Sequence, residues 1–546
     1  MNTVELTLKT AIQSAIQSAF SLDVPADDII IEAPKIKEHG DYATTVAMRL
    51  VKLIKGNPRA LAQSVIDHLD FTKAGILSAD IAGPGFINFK MDPAFLTRQI
   101  TVILKADHDY GQTALDHPRS INVEYVSANP TGDLHPGHAR GAAIGDALTR
   151  ILKKAGYTVT REYYLNDAGN QIANMAKSLQ ARYLQACGKD AQVPDDGYHG
   201  KDLIEIAETL KAEIGTQYAD TPLAESLPFF RAYGLKAETE KLKNDLKLFR
   251  VEFDVWSSEQ ALYDAGMVQT TLKTLIDHGH TYTQEGALFL RTTDYGDDKD
   301  RVLIKSDGSY TYILPDIAYH LNKKQRGYDQ LVNLLGADHH GYVPRLKAAF
   351  EALGYDRNDL EVDIIQMARM IKDGEEFKLS KRTGKAVALK DLIEEAGVDA
   401  LRYYFVSRAG DTHMDLDLDM AQKQSNENPV FYAQYAHARI ASILRQAQWE
   451  VPSAFDGLVH EKELDLIKLM SDFPQLIADA AKTRTPHLLC TYIQKLASAF
   501  HAFYAECVVL KEAEPLRSQR LALIKATQIT LRNALELIGV EAVDQM

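Results

Sequence analysis

The segment INVEYVSANPTGDLHPGH, residues 121–138, sets the architecture of this 546-residue chain. Its first six residues are rich in β-branched and aromatic side chains and predict a buried strand. Residues 127–132 then predict a turn. Residues 139–152 predict a helix with apolar side chains at helical spacing: Ala142, Ile144, Leu148 and Leu152. A strand, a glycine-bearing turn and a helix N-terminus together predict a phosphate site, because free backbone N–H groups and the helix dipole face the anion.

Two histidines stand at the start of the predicted helix. His135 and His138 are three residues apart, so their imidazoles share one face and both can donate to phosphate oxygens. Gly137 between them has no Cβ, which lets a flat adenine or ribose approach the backbone. The alternative is a turn with two surface histidines, and the preceding strand and turn argue against it.

A second motif, KLSKR at residues 378–382, lies far along the chain. Lys378 and Lys381 flank Ser380 within a stretch framed by glycines, which predicts a mobile cationic loop. Such a loop can close over a triphosphate and neutralise charge that develops during attack at phosphorus. Taken alone, the stretch has the alternative of an ordinary solvated loop. Together the two motifs predict a site that holds ATP from two sides and transfers its AMP part.

The two motifs resemble the signatures called HIGH and KMSKS in class I aminoacyl-tRNA synthetases, and the surrounding sequence resembles the arginyl-tRNA synthetases of the bacterial type. Leu379 and Arg382 replace the methionine and the final serine of the second signature, while both lysines are kept. The resemblance spans essentially the whole chain. It rests on six further segments: residues 40–43 (GDYA), 123–132 (VEYVSANPTG), 166–171 (NDAGNQ), 296–303 (GDDKDRVL), 399–402 (DALR) and 434–439 (QYAHAR).

Composition is that of an ordinary globular protein, with 46% hydrophobic and 25% charged residues. The three cysteines form no CxxC pair or metal-like spacing, which predicts a reducing compartment and no structural zinc or other resident metal. Residues 1–20 predict an amphipathic helix, and no apolar run reaches membrane-spanning length. We therefore expect no signal peptide, no membrane segment and a cytoplasmic location.

The net charge of −14 at first opposes a nucleic-acid partner. Binding, however, depends on where positive charges cluster rather than on their sum. The last third of the chain holds a candidate cluster, for which a solvated helix face is the alternative. A tRNA partner is therefore implied by the resemblance and not by the charge. The candidate cluster consists of Arg439, Arg445, Lys482, Arg484, Lys511, Arg517, Arg520, Lys525 and Arg532.

Alternating helical and strand-like patterns predict three domains. Residues 1–112 predict an α+β domain that ends in a polar linker. Residues 118–405 predict an α/β, doubly wound Rossmann-type nucleotide-binding catalytic domain, with a helical insertion at about 172–250. Residues 411–546 show helical periodicity throughout and predict an all-α domain. The resemblance implies that the first domain contacts tRNA and that the third binds the anticodon.

A site that selects arginine needs carboxylates, because a guanidinium is a planar cationic fork that is costly to bury unpaired. Tyr312 and Asp316 are four residues apart and share one face if the segment is helical. The resemblance implies that both contact the substrate guanidinium and that Glu259 is the second carboxylate. It also implies that Asn129 holds the α-amino group and that His339 lies near that position. A helix-start cap is the alternative role for Asp316, and an exposed helix acid is the alternative for Glu259.

The reaction implied by the resemblance consumes L-arginine and ATP, the latter as its Mg²⁺ complex, and needs no tightly bound cofactor. The arginine carboxylate attacks the α-phosphorus, pyrophosphate leaves, and a ribose 2′-OH of the tRNA then accepts the arginyl group. The resemblance implies a monomer, and it leaves open whether arginine activation requires tRNA. The residues expected to bind ATP are His135, Gly137, His138, Lys378, Ser380 and Lys381, of which the histidines and lysines are also the expected catalytic groups. The residues expected to contact tRNA are Tyr42, Tyr435 and Arg439.

Two other classes of protein carry part of this pattern. A small-molecule nucleotidyltransferase also uses paired histidines and a cationic loop, but it has no use for a large helical RNA-binding domain. A non-catalytic tRNA-binding relative would be expected to have lost one of the histidines or lysines, all four of which are present. An acidic alternation at residues 415–419 lacks the glycine and the glutamate of a calcium loop, so we expect no calcium site there.

Overall fold

The computed structural model describes residues 4–34, 36–115, 117–378 and 387–546. The chain forms two compact units. The first comprises Met1–Ala114, Ser425–Leu537 and Glu541–Met546, and the second comprises Leu115–Gln424 and Ile538–Val540.

The N-terminal part of the first unit combines helices with an antiparallel sheet, as the α+β prediction requires. Its elements are α1 Val4–Phe20, β1 Ile31–Glu32, β2 Tyr42–Thr44, α2 Val46–Ile54, α3 Pro58–Asp67, α4 Phe71–Ala74, β3 Ile76–Ala82, β4 Phe86–Met91 and α5 Pro93–Ala106. Helix α1 buries Leu8, Ile12 and Ile16, whose spacing of four places them on one face. Helix α5 begins where the Asp92 side chain accepts from the Ala94 N–H, with a proline at the first helical position. The strands pair in the order β1-β2-β4-β3.

The second unit is built on a parallel sheet with helices between the strands. Its elements are β5 Ser120–Glu124, α6 Pro136–Lys154, β6 Thr158–Leu165, α7 Gly169–Ala186, α8 Lys201–Ile214, α9 Leu223–Leu248, β7 Val255–Ser258, α10 Glu259–Asp264, α11 Met267–Asp277, β8 Thr281–Gln284, β9 Ala287–Leu290, β10 Arg301–Ile304, α12 Ile313–Gln325, β11 Gln330–Gly336, α13 Val343–Ala352, β12 Leu360–Ile365, β13 Ala368–Lys372, β14 Glu375–Glu376, α14 Leu389–Ala396, α15 Val398–Val406, β15 Met414–Asp417 and α16 Leu418–Gln422. The main sheet has the order β12-β11-β5-β6-β7, and every neighbouring pair is parallel.

This strand order confirms the doubly wound Rossmann-type prediction. The chain runs outward from β5 through β6 to β7 and then returns to the other side of β5 with β11 and β12. The direction of winding therefore reverses between β5 and β11. In open parallel sheets a crevice forms at such a reversal, outside the carboxyl ends of the strands, and ligands bind there.

Three helices, α7, α8 and α9, lie between β6 and β7, where the helical insertion is predicted. They share a core of their own that includes Met175, Leu179 and Phe230. The boundaries of this insertion and of the three domains stay predictions.

The strand β15 falls inside the segment 411–546, for which the sequence predicts helices only. It pairs in parallel with β13 in the small sheet β14-β13-β15 and belongs to the second unit. The helical prediction is therefore wrong for residues 414–417. Met414 and Leu416 are buried while Asp415 and Asp417 are exposed, so the period of the pattern here is two and marks a half-buried strand.

The C-terminal part of the first unit is helical, as predicted. Its helices are α17 Pro429–Arg445, α18 Glu461–Ser471, α19 Phe473–Thr483, α20 His487–Glu506 and α21 Leu516–Leu537. Within the unit, α5 packs against α18 and α21. The Tyr110 hydroxyl donates to the Met470 carbonyl at 2.6 Å, and the Asn533 amide donates to the Asp107 carbonyl at 2.9 Å. Side-chain hydrogen bonds thus join residues that are more than 350 positions apart in the sequence.

The part of the chain that the structure describes contains no helix that could span a membrane. None of its helices combines the length and the apolar character that crossing a bilayer requires.

Candidate active site

A cavity of about 670 Å³ lies where the winding of the main sheet reverses. It is lined from the ends of β5 and β11 and from the starts of α6, α10 and α12. The residues expected to bind arginine, which are scattered over more than 200 positions in the sequence, all line it: Asn129, Glu259, Tyr312, Asp316 and His339. So do three of the residues expected to bind ATP: His135, Gly137 and His138.

The two histidines form a capping structure at the start of α6. Their rings are stacked with centroids 3.6 Å apart. Nδ1 of His135 accepts from the backbone N–H groups of Gly137 and His138, at 3.1 and 3.3 Å, and Nδ1 of His138 accepts from the backbone N–H of His135 at 3.4 Å. Each neutral ring therefore carries its proton on Nε2.

Burial keeps both rings neutral. It lowers the pKa of His135, although the charge of Asp338 opposes this, and burial together with His135 lowers the pKa of His138 to about 3. A Cβ on Gly137 would lie 2.9 Å from Cε1 of His135 and 3.0 Å from the sulfur of Met367. The glycine therefore makes room for the histidine ring itself, in addition to any room it leaves for a nucleotide.

The turn after β5 has an unusual backbone. Val126 and Ser127 have φ angles of 69° and 43°, in the left-handed region that β-branched and other side chains disfavour. The Ser127 hydroxyl donates to Glu124 Oε1 at 3.0 Å and accepts from the Tyr164 N–H at 3.1 Å, which ties the turn to β6. The turn carries Asn129 to the cavity, where its amide donates to Gln171 Oε1 at 2.9 Å. The sequence predicted a turn here without indicating this strain.

Asp316 lies in the first turn of α12, with Tyr312 at the residue before the helix. Tyr312 is 70% exposed and its ring stacks on that of Tyr342, with centroids 5.8 Å apart. Burial opposes ionisation of Asp316, but the neighbouring His320 holds the pKa of its carboxyl below its usual value. Asp316 is thus held as a carboxylate, and it lines the cavity.

A buried relay behind Asp316 determines how His320 is protonated. Lys323 donates to Glu124 Oε2 at 2.6 Å and to Asn333 Oδ1 at 3.2 Å. The Asn333 amide nitrogen then faces His320 Nε2 at 2.8 Å, so this nitrogen accepts and Nδ1 carries the proton. His320 Nδ1 lies 2.8 Å from the Asp316 carbonyl and 3.4 Å from its carboxylate.

Sequence reasoning missed this relay. Its only local signal was the spacing of four between Asp316 and His320 on one helix. The partners on β5 and β11 become neighbours only in the folded sheet.

Glu259 is the first residue of α10 and shares the cavity with Asp316. Burial raises the pKa of Glu259, the hydrogen bond from Tyr164 opposes that rise, and the charges of Asp167 and Asp316 add to it. Four carboxylates line the cavity, those of Glu124, Glu259, Asp316 and Asp338. Among the described residues that line it, none is Lys or Arg. The electrostatics of this cavity therefore favour a cationic ligand.

The cationic loop is described only at its base. Lys378 is exposed, and its ammonium lies 3.0 Å from Glu376 Oε2. The Val387 N–H donates to the Lys378 carbonyl at 3.2 Å, so the chain returns beside this residue. Ser380 and Lys381 lie outside the described residues.

The predicted tRNA contacts occupy two kinds of environment. Tyr42 is 4% exposed, and its hydroxyl donates to Asp472 at 2.8 Å within the first unit. The polar end of this phenol thus bonds a buried carboxylate within the protein, and its contact with RNA stays a prediction. Arg439, in contrast, is half-buried on α17, with its guanidinium 4.5 Å from the Tyr504 ring centre and 5.9 Å from that of Tyr435.

Two arginines of the positive cluster predicted in the last third of the chain form ion pairs within the protein. Arg520 pairs with Glu463 at 2.7 Å and with Glu512 at 2.8 Å. Arg532 pairs with Asp107 at 2.6 Å. These two residues hold elements of the first unit together, which reduces the cationic surface that remains for an anionic partner.

Comparison with known proteins covers nearly the whole chain. Family models match at residues 6–91 (arginyl tRNA synthetase N terminal domain), 99–441 (tRNA synthetases class I (R), catalytic domain) and 433–546 (DALR anticodon binding domain). The chain is 54% identical to arginine–tRNA ligase of Bacillus subtilis, over 99% of this chain and 98% of that protein. It is 53% identical to arginine–tRNA ligase of Geobacillus kaustophilus, over 98% and 97% of the two chains.

Solved structures agree on the fold. Arginyl-tRNA synthetase of Thermus thermophilus superposes with a TM-score of 0.77 over 99% of both chains, at 22% sequence identity. The full-length identity to the Bacillus and Geobacillus proteins, the three family models and the shared fold all agree with the cavity chemistry. The chain belongs to the arginyl-tRNA synthetases, a family of the class I aminoacyl-tRNA synthetases.

Proposed function

We propose that this chain attaches L-arginine to its tRNA through an arginyl-adenylate, with release of AMP and pyrophosphate. The observation that carries the proposal is the acidic cavity beside the paired histidines. It combines the carboxylates of Glu259 and Asp316, which share the cavity, with the helix start of a nucleotide fold. A cationic amino acid and a nucleotide would meet there.

The arginine side chain would bind between Asp316 and Glu259, beside the phenol of Tyr312. A guanidinium offers five N–H donors in a planar fork, so it can satisfy two carboxylates and remove their mutual repulsion. The buried relay supports this role, because the protonated Nδ1 of His320 steadies the Asp316 carboxylate from behind. Asn129 would hold the α-amino group, with His339 nearby.

ATP would enter as its Mg²⁺ complex and lie against the start of α6. The Nε2–H groups of His135 and His138 would donate to its phosphates, with Gly137 between them. Lys378, Ser380 and Lys381 would bind the phosphates from the other side. The arginine carboxylate then attacks the α-phosphorus, the bond to the bridging oxygen breaks, and pyrophosphate leaves with its charge stabilised by the lysines. No side chain acts as a nucleophile.

The second step transfers the arginyl group to tRNA. A ribose 2′-OH of the terminal adenosine attacks the carbonyl of the adenylate, and AMP leaves. Tyr435 and Arg439 would contact the anticodon arm, since RNA is commonly read at unstacked bases that lie on aromatic rings and guanidinium planes. We place the enzyme in the cytoplasm and expect it to act as a monomer.

The test is arginine-dependent exchange of labelled pyrophosphate into ATP, with and without the tRNA for arginine. We expect exchange with arginine and none with lysine. Exchange only in the presence of tRNA would mean that RNA binding completes the site, whereas exchange without it would mean that the cationic loop suffices. Folded protein that shows no exchange in either case would contradict the proposal, and retained tRNA binding would then identify a non-catalytic relative.

Lys381→Ala tests the role of the loop. Losing a group that stabilises developing charge costs ~10²-fold in rate or more, and the exchange rate should fall by that factor. Lys385→Ala, which removes the same charge a few residues away, is the matched control. An unchanged rate in Lys381→Ala would remove its assigned role.

A further inference from the structure

Helix α9 of the region between β6 and β7 contacts both ATP-binding motifs at their flanks. Lys241 Nζ lies 2.6 Å from Oδ1 of Asp133, which precedes His135 by two residues. One turn further along the same helix, Asp245 Oδ1 lies 2.8 Å from Nζ of Lys390, which is at the start of α14. Since α14 follows the cationic loop, one short stretch of α9 holds the chain before the histidines and the chain after the lysines.

The two flanks also touch each other. The Leu389 N–H donates to the Leu134 carbonyl at 2.7 Å, and Val387 is bonded to Lys378 at the base of the loop. Besides this hydrogen bond, helices α6 and α14 are in contact. The two ion pairs add attachment points separated by roughly 6 Å along α9, the rise of four helical residues, and so further restrict the relative orientation of the two segments.

The two α9 side chains in these contacts are largely buried. Asp245 is 3% exposed and Lys241 is 19% exposed. Lys241 also lies 3.3 Å from Asp202 and 3.8 Å from Glu238. The partners Asp133 and Lys390 are partly exposed, so solvent screens these pairs in part, while the buried α9 end anchors each of them.

We propose that Lys241 and Asp245 are positioning residues for adenylate formation. They set the separation between the start of α6, where His135 and His138 lie, and the base of the cationic loop. This inference rests on the proposed function. Transfer at phosphorus depends on the alignment of attacking group, phosphate and leaving group, and a displacement of about 1 Å can cost up to ~10²-fold. Neither residue lines the cavity, so both would act only through the motifs they hold.

The experiment measures kcat and KM for ATP in arginine-dependent pyrophosphate exchange, with tRNA present, and separately the Kd for arginine. In Lys241→Met and Asp245→Asn we expect kcat/KM for ATP to fall about tenfold while the Kd for arginine changes less than twofold. Lys247→Met, an exposed lysine on the same helix, is the matched control and should keep wild-type values. Loss of arginine affinity in parallel, or an equal loss in the control, would overturn the inference.

The exposed partners supply a second route, because substitution of the buried Asp245 could prevent folding. Asp133 and Lys390 are 51% and 43% exposed, so Asp133→Asn and Lys390→Met should fold and should show the same selective loss. The double variants Asp133→Asn/Lys241→Met and Lys390→Met/Asp245→Asn should be no worse than the poorer single variant, since each pair acts as a unit.

Wild-type values for ATP in both exposed-partner variants would overturn the inference while leaving the proposed function intact. Absence of exchange in the wild-type protein would instead refute the proposed function, and the inference with it.

Discussion

Glu238 on α9 is a buried carboxyl whose ionisation should make the protein less stable at neutral and alkaline pH. It is 1% exposed, and neither of its oxygens has a hydrogen-bond partner among the residues that the structure describes. Burial raises the pKa of Glu238 to about 7, although the charge of Lys241 opposes the rise. The nearby carboxylates of Asp202, Asp133 and Asp245 add to it.

The magnitude follows from linkage between proton binding and folding. The folded protein holds the proton more tightly than the unfolded chain, in which this group titrates near 4.5, so stability is lost as pH rises from about 4.5 through about 7. The difference between these two pKa values corresponds to about 3 kcal/mol at pH 8. Glutamine has nearly the same volume and no charge, so Glu238→Gln should recover this amount at pH 8 and very little at pH 5.

Differential scanning calorimetry of wild type and Glu238→Gln between pH 5 and pH 8 measures the effect. For a cooperative unit of this size, about 3 kcal/mol corresponds to an increase in Tm of roughly 5 °C at pH 8. Glu240→Gln, an exposed acid on the same helix, is the matched control and should give no pH-dependent difference. A Tm difference that is the same at every pH, or a lower Tm for Glu238→Gln at pH 8, would show that the buried carboxyl does not titrate as described.

Three further predictions concern the proposed reaction. Asp316→Asn should weaken arginine binding by about 3 kcal/mol, or roughly 100-fold, because the guanidinium loses a charge-assisted partner; calorimetric titration measures this, and wild-type affinity would remove Asp316 from the pocket. Arg439→Ala should raise the Kd for tRNA several-fold in filter binding while leaving the KM for arginine unchanged, and a change in the KM for arginine alone would argue against an RNA contact. Because burial lowers the pKa of His138 to about 3, this histidine should not titrate between pH 5 and pH 8; an acidic limb near pH 6.5 in kcat/KM for ATP that disappears in His138→Gln would contradict this.

Much of the candidate site could be predicted because its signals are local. Side-chain type and spacing within residues 121–138 predict a strand, a turn and a helix start. The separation of three between His135 and His138 predicts that their imidazoles share one face. The same holds for α12, where Tyr312 and Asp316 are one helical turn apart. The family resemblance implied roles for these residues, and in the folded structure they line one cavity.

Other features could not be predicted, because a side chain's partner lies far along the chain. Tyr42 carries no local sign that Asp472, more than 400 residues later, accepts its hydroxyl hydrogen. Lys323 looks in the sequence like any lysine near the end of a helix, yet it is fully buried between Glu124 and Asn333.

The sequence by itself determined the strand–turn–helix unit, the order of helices and strands over most of the chain, and the chemical types available to bind ATP and arginine. These depend on backbone preferences and periodicity over a few residues. Only the tertiary structure decided which charges are buried, which carboxylates share the cavity, and that α9 contacts residues flanking both motifs. Burial and electrostatic environment arise when segments distant in sequence pack together, and no local pattern encodes them.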